Sequence, residues 1–328
     1  MPRRWSAKAG RTSPSSHFDV LGQFSRHRQY NNPISRHLMQ DTDTRDIGRK
    51  IANCALTIKA DVILHPDLQP DVNLKAAQVC NTRLCPFCEW RRTRVWRKRL
   101  HTGLGALLEE QPKLRGVFLT LTVRNVPLDQ LGDQLDEMNK AFNRLTKRKI
   151  WPTDLYFRRT EVTISGVPGT AGYSAHPHFH VLLLVKPSYF SHGYIKQLQW
   201  QKEWMTAAKL DYVPVVDVRS AKAKSTSGSP SAGDASAAVM EAAKYAAKAT
   251  DLMELGSAIS ELHWQLRYRR LYALSKELAR YIKAGEVSEA EMMDDESKPL
   301  PPGAEKISVL AQWFEDTQDY QIVDINQP

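Results

Sequence analysis

The most informative stretch of this 328-residue chain is HPHFH at residues 176–180, which runs directly into the apolar residues VLLLV at 181–185. In an extended strand successive side chains point to opposite faces, so the three imidazoles share one face and apolar residues cover the other. The run is too apolar for a surface strand, and burying imidazoles without partners is costly. The pattern therefore predicts a metal site on a buried strand, with a satisfied or solvated set of histidines as the alternative.

Periodicity places this strand in an α+β domain. Strand alternation is found at residues 117–123, 157–165 and 213–219, and helical spacing at residues 131–146, 194–209, 239–252 and 257–284. Strands that alternate with helices over fairly long connections indicate a sheet covered by helices. We therefore predict a central antiparallel sheet flanked by helices.

Composition indicates a globular, soluble protein, with 42% hydrophobic and 25% charged residues. No apolar run approaches the roughly 20 residues of a membrane helix, and residues 1–4 lack the apolar segment of a signal peptide. We expect a cytoplasmic protein with no membrane partner. Four cysteines in such a chain indicate thiol or metal chemistry rather than disulfides.

The formal net charge of +10 is unevenly distributed. Residues 286–328 hold eleven acidic and only two basic side chains, so the remainder of the chain is strongly basic. A basic body favours a polyanionic partner, most simply nucleic acid. We predict that this acidic tail is solvated and disordered; the alternative is that it competes with DNA for the basic surface. Residues 1–46 lack sustained apolar periodicity and are predicted to form a mostly disordered basic arm.

Residues 47–110 are predicted to form a cysteine-rich, DNA-binding module. Cys85 and Cys88 have the C-x-x-C spacing of a zinc knuckle, Cys80 lies just before them, and Cys54 can supply a fourth thiolate. A structural zinc site is the prediction, with a buried free thiol as the alternative for Cys54.

A basic run follows the cysteines. Its cations are Arg91, Arg92, Arg94, Arg97, Lys98 and Arg99. Clustered arginines beside Trp90 and Trp96 suit contact with phosphates, and we predict that the cations bind DNA. In a helix Trp96 falls on the side of the following leucines, so it is expected in the core rather than on DNA.

The segment EAAKYAAK at residues 241–248 concentrates its polar side chains on one helical face. Glu241, Tyr245 and Lys248 share that face because Tyr245 lies four residues and Lys248 seven residues after Glu241. A phenol has a pKa of about 10 and is a poor nucleophile until a cation stabilises the phenolate, which Lys248 or a nearby metal ion could do. An ordinary exposed helix with Glu–Lys pairs is the alternative.

The order of these motifs resembles the plasmid rolling-circle replication initiators of the HUH endonuclease superfamily. The family's paired histidines around a bulky residue match His178 and His180, its tyrosine motif Y-x-x-K matches Tyr245 and Lys248, and a TLTV strand precedes both. The resemblance covers roughly residues 50–280. It implies a nuclease domain at residues 111–285. Within that domain, residues 220–237 are rich in Ser, Ala, Lys and Gly, and this composition predicts a flexible insertion.

The resemblance also implies a catalytic metal ion, Mg²⁺ or Mn²⁺, held by His178 and His180 with a further ligand from a neighbouring strand. Glu161 in RRTEVTIS is our candidate for that ligand, and a surface salt bridge to Arg159 is the competing interpretation. His176 is either a third imidazole ligand or an outer group.

By the same resemblance, Tyr245 would cleave one DNA strand at a plasmid origin. The reaction would leave a 5′-phosphotyrosine link and a free 3′-hydroxyl that primes replication, and Glu241 would activate water at termination. The sequence shows no phosphate-binding loop for ATP, so a host helicase and replication machinery are expected partners. A transposase or relaxase with the same chemistry, and a non-enzymatic zinc-dependent DNA-binding regulator, are the alternatives.

Overall fold

The computed structural model describes residues 20–66, 70–166, 173–220, 249–284, 300 and 302–326. Within these residues the chain forms two antiparallel sheets, one of five strands and one of four, and helices pack against both. The predicted α+β class with antiparallel strands flanked by helices is therefore confirmed.

The strands and helices have the following bounds. The strands are β1 (Thr57–Leu64), β2 (Asp71–Ala77), β3 (Arg115–Thr122), β4 (Tyr156–Ser165), β5 (Ser174–Val185), β6 (Val216–Ser220), β7 (Tyr272–Leu274), β8 (Glu305–Phe314) and β9 (Asp319–Asn326). The helices are α1 (Gly22–Arg28), α2 (Asn31–Gln40), α3 (Arg45–Ala52), α4 (Pro86–Glu110), α5 (Leu131–Leu145), α6 (Ser188–Ser191), α7 (Gln197–Ala208), α8 (Ala249–Glu254), α9 (Ile259–Leu266) and α10 (Lys276–Ala284).

The five-stranded sheet, with strand order β6-β3-β5-β4-β7, has the histidine strand β5 at its centre. One face packs against α5 and α7, where Phe179, Val181 and Leu183 are fully buried. Since side chains alternate along β5, all three histidines fall on the opposite face. The sequence pattern thus positions the candidate ligands on the sheet face that α5 and α7 do not cover.

Helices α4 and α10 cover the part of that histidine-bearing face that is formed by the C-terminal end of β5. Leu182 and Leu184 pack there against leucines of both helices, and all of them are buried. Trp96 lies in this layer as predicted, with its ring centroid 5.1 Å from that of Tyr272 and 5.8 Å from that of Phe157. Because this apolar packing begins at Leu182, the histidines lie at its border.

The prediction that the acidic tail is disordered is wrong for residues 302–326. These residues form β8 and β9, and β8 pairs with β1 along its full length, from Thr57 opposite Gln312 to Leu64 opposite Glu305. Along β8, Val309, Ala311 and Trp313 alternate inward and are buried. Net charge concealed this alternation, because four acidic side chains of this segment are exposed and do not affect the inward face: Glu305, Glu315, Asp316 and Asp324. Residues 286–299 lie outside the described residues.

The predicted disordered arm is also wrong for residues 20–46. Helices α1 and α2 bury Phe24 and Ile34, and Arg28 is fully buried although it is charged. The Arg28 guanidinium donates to the Ala52 carbonyl oxygen at 2.7 Å and lies 5.0 Å over the Trp313 ring. These helices are therefore fastened to the β8–β9 hairpin. Residues 1–19 lie outside the described residues.

The single helix predicted at residues 257–284 is instead two helices separated by a turn and the short strand β7. Tyr268 in the turn adopts a left-handed conformation with φ of 62°, which ends α-helical geometry, and β7 then pairs with β4. Of the helix predicted at residues 239–252, only residues 249–252 are described, as the start of α8. The predicted insertion beyond residue 220 is outside the described residues.

Replacing Val309 by alanine is expected to lower the free energy of unfolding by about 2 kcal/mol, because it removes two buried carbons and leaves a cavity. Val323 on the paired strand β9 is 48% exposed, so the same change there should cost less than about 0.5 kcal/mol. Urea unfolding followed by circular dichroism measures both variants. Equal effects would contradict the burial of β8 beneath the helices.

No helix in the described part of the chain is long and apolar enough to cross a membrane.

Candidate functional site

Two neighbouring strands bring Glu161, His178 and His180 together on the uncovered part of the sheet face. Glu161 on β4 lies opposite His178 on β5 in the strand register. Its Oε2 atom is 2.9 Å from Nε2 of His180 and 3.8 Å from Nε2 of His178. All three side chains are partly exposed, so the cluster can be reached from solvent.

This cluster has the donor set and the spacing for a divalent cation. One ligand atom from each residue lies within 4.8 Å of the others. Adjacent ligands of an octahedral ion at about 2.1 Å are about 3 Å apart, which is close to the Glu161–His180 separation. Burial raises the pKa of Glu161, but the adjacent imidazoles of His178 and His180 outweigh it and hold the pKa below its ordinary value. A charged carboxylate beside two imidazoles can ligate a divalent cation.

Hydrogen bonds at Nδ1 orient both imidazoles. The Nδ1–H of His178 donates to the backbone oxygen of His176 at 3.2 Å, which leaves the Nε2 lone pair free. Nδ1 of His180 lies 3.2 Å from the hydroxyl oxygen of Thr120 on β3. Sequence reasoning did not single out Thr120. The available signal was its alternation with Thr122 in TLTV, which places both hydroxyls on the histidine face.

His176 stands apart from the cluster. Its ring centroid is 5.4 Å from that of His178, and among the described residues it does not join the group that could share an ion. Burial and the nearby charge of His178 lower the pKa of His176. The geometry therefore favours Glu161 over the His176 ring as the third ligand, while the His176 carbonyl holds His178.

Arg159 does not form the salt bridge that competed with the metal role of Glu161. It is fully buried, and its guanidinium lies 5.6 Å from the centroid of the Tyr272 ring. None of its three guanidinium nitrogens has a hydrogen-bond partner in the described structure. Tyr272 in turn donates to Glu89 Oε1 on α4 at 3.3 Å. A buried cation thus lies on the same sheet face as Glu161, two residues before it.

The four cysteines meet at the start of α4. Their Sγ atoms all lie within 4.8 Å of one another, with Cys88 3.5 Å from Cys54 and 3.6 Å from Cys80. All four are free thiols. Hydrogen bonds from the other cysteines, Cys54 above all, lower the pKa of Cys80 and favour a thiolate there. Four such sulfurs with one C-x-x-C pair match a closed tetrahedral zinc site.

Two of the cations predicted to bind DNA, Arg91 and Arg92, contact the cysteine loop. Arg91 donates to Asn81 Oδ1 at 2.7 Å, and Arg92 donates to the backbone oxygens of Asn81 and Thr82 at 2.6 and 3.0 Å. Arg92 also pairs with Glu89 at 2.9 Å. Arg91 and Arg92 therefore brace the cysteine cluster.

The other four cations of the basic run lie further along α4. Arg94 is exposed and lies 5.4 Å over the Trp90 ring, while Arg97, Lys98 and Arg99 are partly exposed. Contact with DNA stays a prediction for all six cations of the run.

The predicted catalytic helix residues Glu241, Tyr245 and Lys248 lie outside the described residues. Their arrangement around the cluster is therefore a proposal drawn from the sequence.

The fold and site define an α+β protein that carries a candidate divalent-metal centre on an antiparallel sheet and a separate cluster of four cysteines at the start of α4. The chain belongs to the replication protein family, whose family model matches residues 71–321. The resemblance to plasmid replication initiators is thereby confirmed.

Three relatives show how far this similarity extends. A protein named "Protein rep" from Lactiplantibacillus plantarum is 35% identical over 260 residues, which cover 74% of this chain and 79% of the relative. "Protein rep" from Streptococcus pneumoniae is 32% identical over 262 residues, 76% of this chain and 77% of the relative. A "Replication protein" from Staphylococcus aureus is 32% identical over 231 residues, 66% of this chain and 94% of the relative. No solved structure matches significantly.

Proposed function

We propose that this replication protein nicks and rejoins one DNA strand at a plasmid origin and so starts rolling-circle replication. The observation that carries the proposal is the convergence of Glu161, His178 and His180 on one open sheet face in a chain of this family. The strongly basic body of the protein suits the DNA substrate.

Glu161, His178 and His180 are the residues that would hold Mg²⁺ or Mn²⁺. When bound, the ion would polarise the scissile phosphate and offset negative charge in the transition state. Thr120 and the His176 carbonyl keep the imidazoles oriented for this role. The buried charge of Arg159 adds positive potential on the same face.

Tyr245 is the proposed nucleophile. Its phenolic oxygen attacks phosphorus and forms a 5′-phosphotyrosine bond while the bond from phosphorus to the 3′ oxygen breaks. The 3′ oxygen keeps the electron pair and takes up a proton, which gives the primer hydroxyl. Lys248 stabilises the phenolate during attack. At termination Glu241 accepts a proton from water, whose oxygen attacks the phosphotyrosine and releases Tyr245.

The cysteine centre has a structural role in this proposal. Zn²⁺ on Cys54, Cys80, Cys85 and Cys88 would fix the start of α4, and Arg94, Arg97, Lys98 and Arg99 would contact phosphates. Strand separation would come from a host helicase and the replication machinery. A transposase or relaxase would share the chemistry, but the family match favours a replication initiator.

The test is to mix the protein with Mn²⁺ and single-stranded DNA from the plasmid that encodes it, followed by denaturing electrophoresis and peptide mass analysis. A metal-dependent adduct on Tyr245 is the expected result. Intact DNA binding with no adduct on any plasmid segment would favour a non-enzymatic zinc-dependent regulator.

Replacing Thr120 by valine is expected to weaken Mn²⁺ binding about 10- to 100-fold, because His180 loses the partner that orients its ring. Thr122→Val is the matched control: its hydroxyl donates to the Val215 carbonyl oxygen at 2.8 Å rather than bonding to an imidazole. Titration of zinc-loaded protein with Mn²⁺ by calorimetry compares the two. Equal losses would show that Thr120 acts through the strand rather than through His180.

A further inference from the structure

The turn between α9 and β7 exposes aromatic rings among arginines. The tyrosine at its tip, Tyr268, is 86% exposed and Trp264 is 38% exposed. Arg267 and Arg270 are exposed as well. We call Trp264, Arg267, Tyr268 and Arg270 the aromatic turn. Such exposed rings add little to the stability of the fold, so their placement calls for another role.

Arg267 lies over both rings of the aromatic turn. The guanidinium carbon of Arg267 lies 4.8 Å from the Trp264 ring centroid and 4.6 Å from the Tyr268 ring centroid. Tyr268 holds this position with φ of 62°, a left-handed conformation that bulky residues rarely adopt. Uncommon backbone geometry of this kind is concentrated at binding sites, where the surrounding structure enforces it.

The surrounding structure does enforce it. Arg269 points back into the protein, where it donates to both carboxylate oxygens of Asp136 at 3.2 and 2.8 Å and to the Gln265 carbonyl oxygen at 2.8 Å. Gly132 permits this contact, because a Cβ atom there would lie 2.6 Å from the Arg269 guanidinium. The anchored Arg269 thus fixes the turn, while its neighbours Tyr268 and Arg270 remain at the surface.

The aromatic turn lies beside the candidate metal centre. Directly after it, the Leu271 carbonyl oxygen accepts a hydrogen bond from Thr160 N–H at 2.7 Å, and Tyr272 pairs with Arg159. Glu161 is the next residue of β4. A DNA strand that leaves the metal centre across this edge of the sheet would therefore meet the aromatic turn.

We propose that the aromatic turn is a stacking platform for unpaired DNA bases next to the cleavage site. Base stacking on aromatic rings and arginine planes requires no particular base, and cations beside the rings attract the phosphates. Bases in a duplex have no free face for such stacking, so the platform selects single-stranded DNA. The inference rests on the proposed function, because it assigns the platform to the strand that Tyr245 would cut.

The test uses full-length protein without added Mn²⁺, so that binding is read independently of nicking. Fluorescence anisotropy measures affinity for a single-stranded oligonucleotide from the origin and for the duplex of the same sequence. Tyr268→Asn removes the ring and keeps a residue that tolerates the left-handed conformation. Tyr268→Phe keeps the ring, and Tyr194→Ala removes a tyrosine that is 49% exposed between α6 and α7.

Tyr268→Asn is expected to weaken binding of single-stranded DNA about tenfold, with duplex binding and the unfolding temperature unchanged. Tyr268→Phe and Tyr194→Ala should bind as the wild type does. In addition, 2-aminopurine placed at successive positions of the oligonucleotide should be quenched at one or two positions, and Tyr268→Asn should remove that quenching.

Three results would overturn the platform. Unchanged affinity of Tyr268→Asn for single-stranded DNA would show that the turn does not bind unpaired bases, and another partner, such as a protein, would have to explain its exposure. Equal loss for single strand and duplex would assign the turn to phosphate contact alone. If the wild-type protein bound neither DNA, the proposed function would fail together with the platform, whereas normal nicking by Tyr268→Asn with unchanged affinity would reject only the platform.

Discussion

Replacing Tyr245 by phenylalanine should slow cleavage of the origin strand by at least about a thousandfold, because phenylalanine has no oxygen to attack phosphorus. The substitution keeps the aromatic ring and removes only its hydroxyl, so affinity for the same DNA should stay within about twofold of the wild type. Cleavage is followed on labelled single-stranded DNA with Mn²⁺, and affinity is followed by anisotropy without it.

Tyr194→Phe is the matched control for this change. Tyr194 lies between α6 and α7 and takes no part in the proposed chemistry, so this variant should cleave at the wild-type rate. If Tyr245→Phe cleaved DNA as fast as Tyr194→Phe does, another group would have to be the nucleophile, and the proposed role of Lys248 would fail with that of Tyr245.

Replacing Cys88 by serine should lower the unfolding temperature by at least about 10 °C and reduce the zinc content from one ion per chain to a small fraction. The Cys88 sulfur lies within 3.6 Å of two other cysteine sulfurs, so its loss removes a central ligand. The energy with which a structural site binds zinc is energy of folding, and about 1 kcal/mol corresponds to roughly 2–4 °C in a domain of this size. Differential scanning calorimetry and metal analysis measure both quantities.

Wild-type protein treated with a chelator is the reference for the serine variant. It should unfold at the same lowered temperature and recover when zinc is added back, whereas Cys88→Ser should not recover. A wild-type protein that contains no zinc and melts together with Cys88→Ser would show that the four thiols are only close-packed.

The sequence was sufficient to predict the middle of the five-stranded sheet. Alternation in β3, β4 and β5 is strong and local, so the predicted bounds fall within two residues of those observed. The same alternation placed Glu161, His178 and His180 on one face. The sequence could not predict which hydroxyl orients His180, because that contact depends on the register between β3 and β5.

The helices α1 and α2 and the β8–β9 hairpin were missed for a different reason. In α1 and α2, apolar residues such as Phe24 and Ile34 are few, and they are buried by segments far away in the chain, including Trp90. In β8 the averaged negative charge concealed the alternation of Val309 and Ala311. The left-handed conformation of Tyr268 depends on the anchoring of Arg269 by Asp136, a contact between residues 133 positions apart.

The pairing of β1 with β8 sets an order of assembly on the ribosome. About 240 residues separate the two strands, so at roughly 5–20 residues per second β1 waits on the order of 10–50 s for its partner. Cys80, Cys85 and Cys88 and the whole of the five-stranded sheet are synthesised within that interval. A chain that stops before residue 305 would therefore carry the histidine cluster but leave one edge of β1 open, and an open strand edge is a surface for aggregation and a target for proteases.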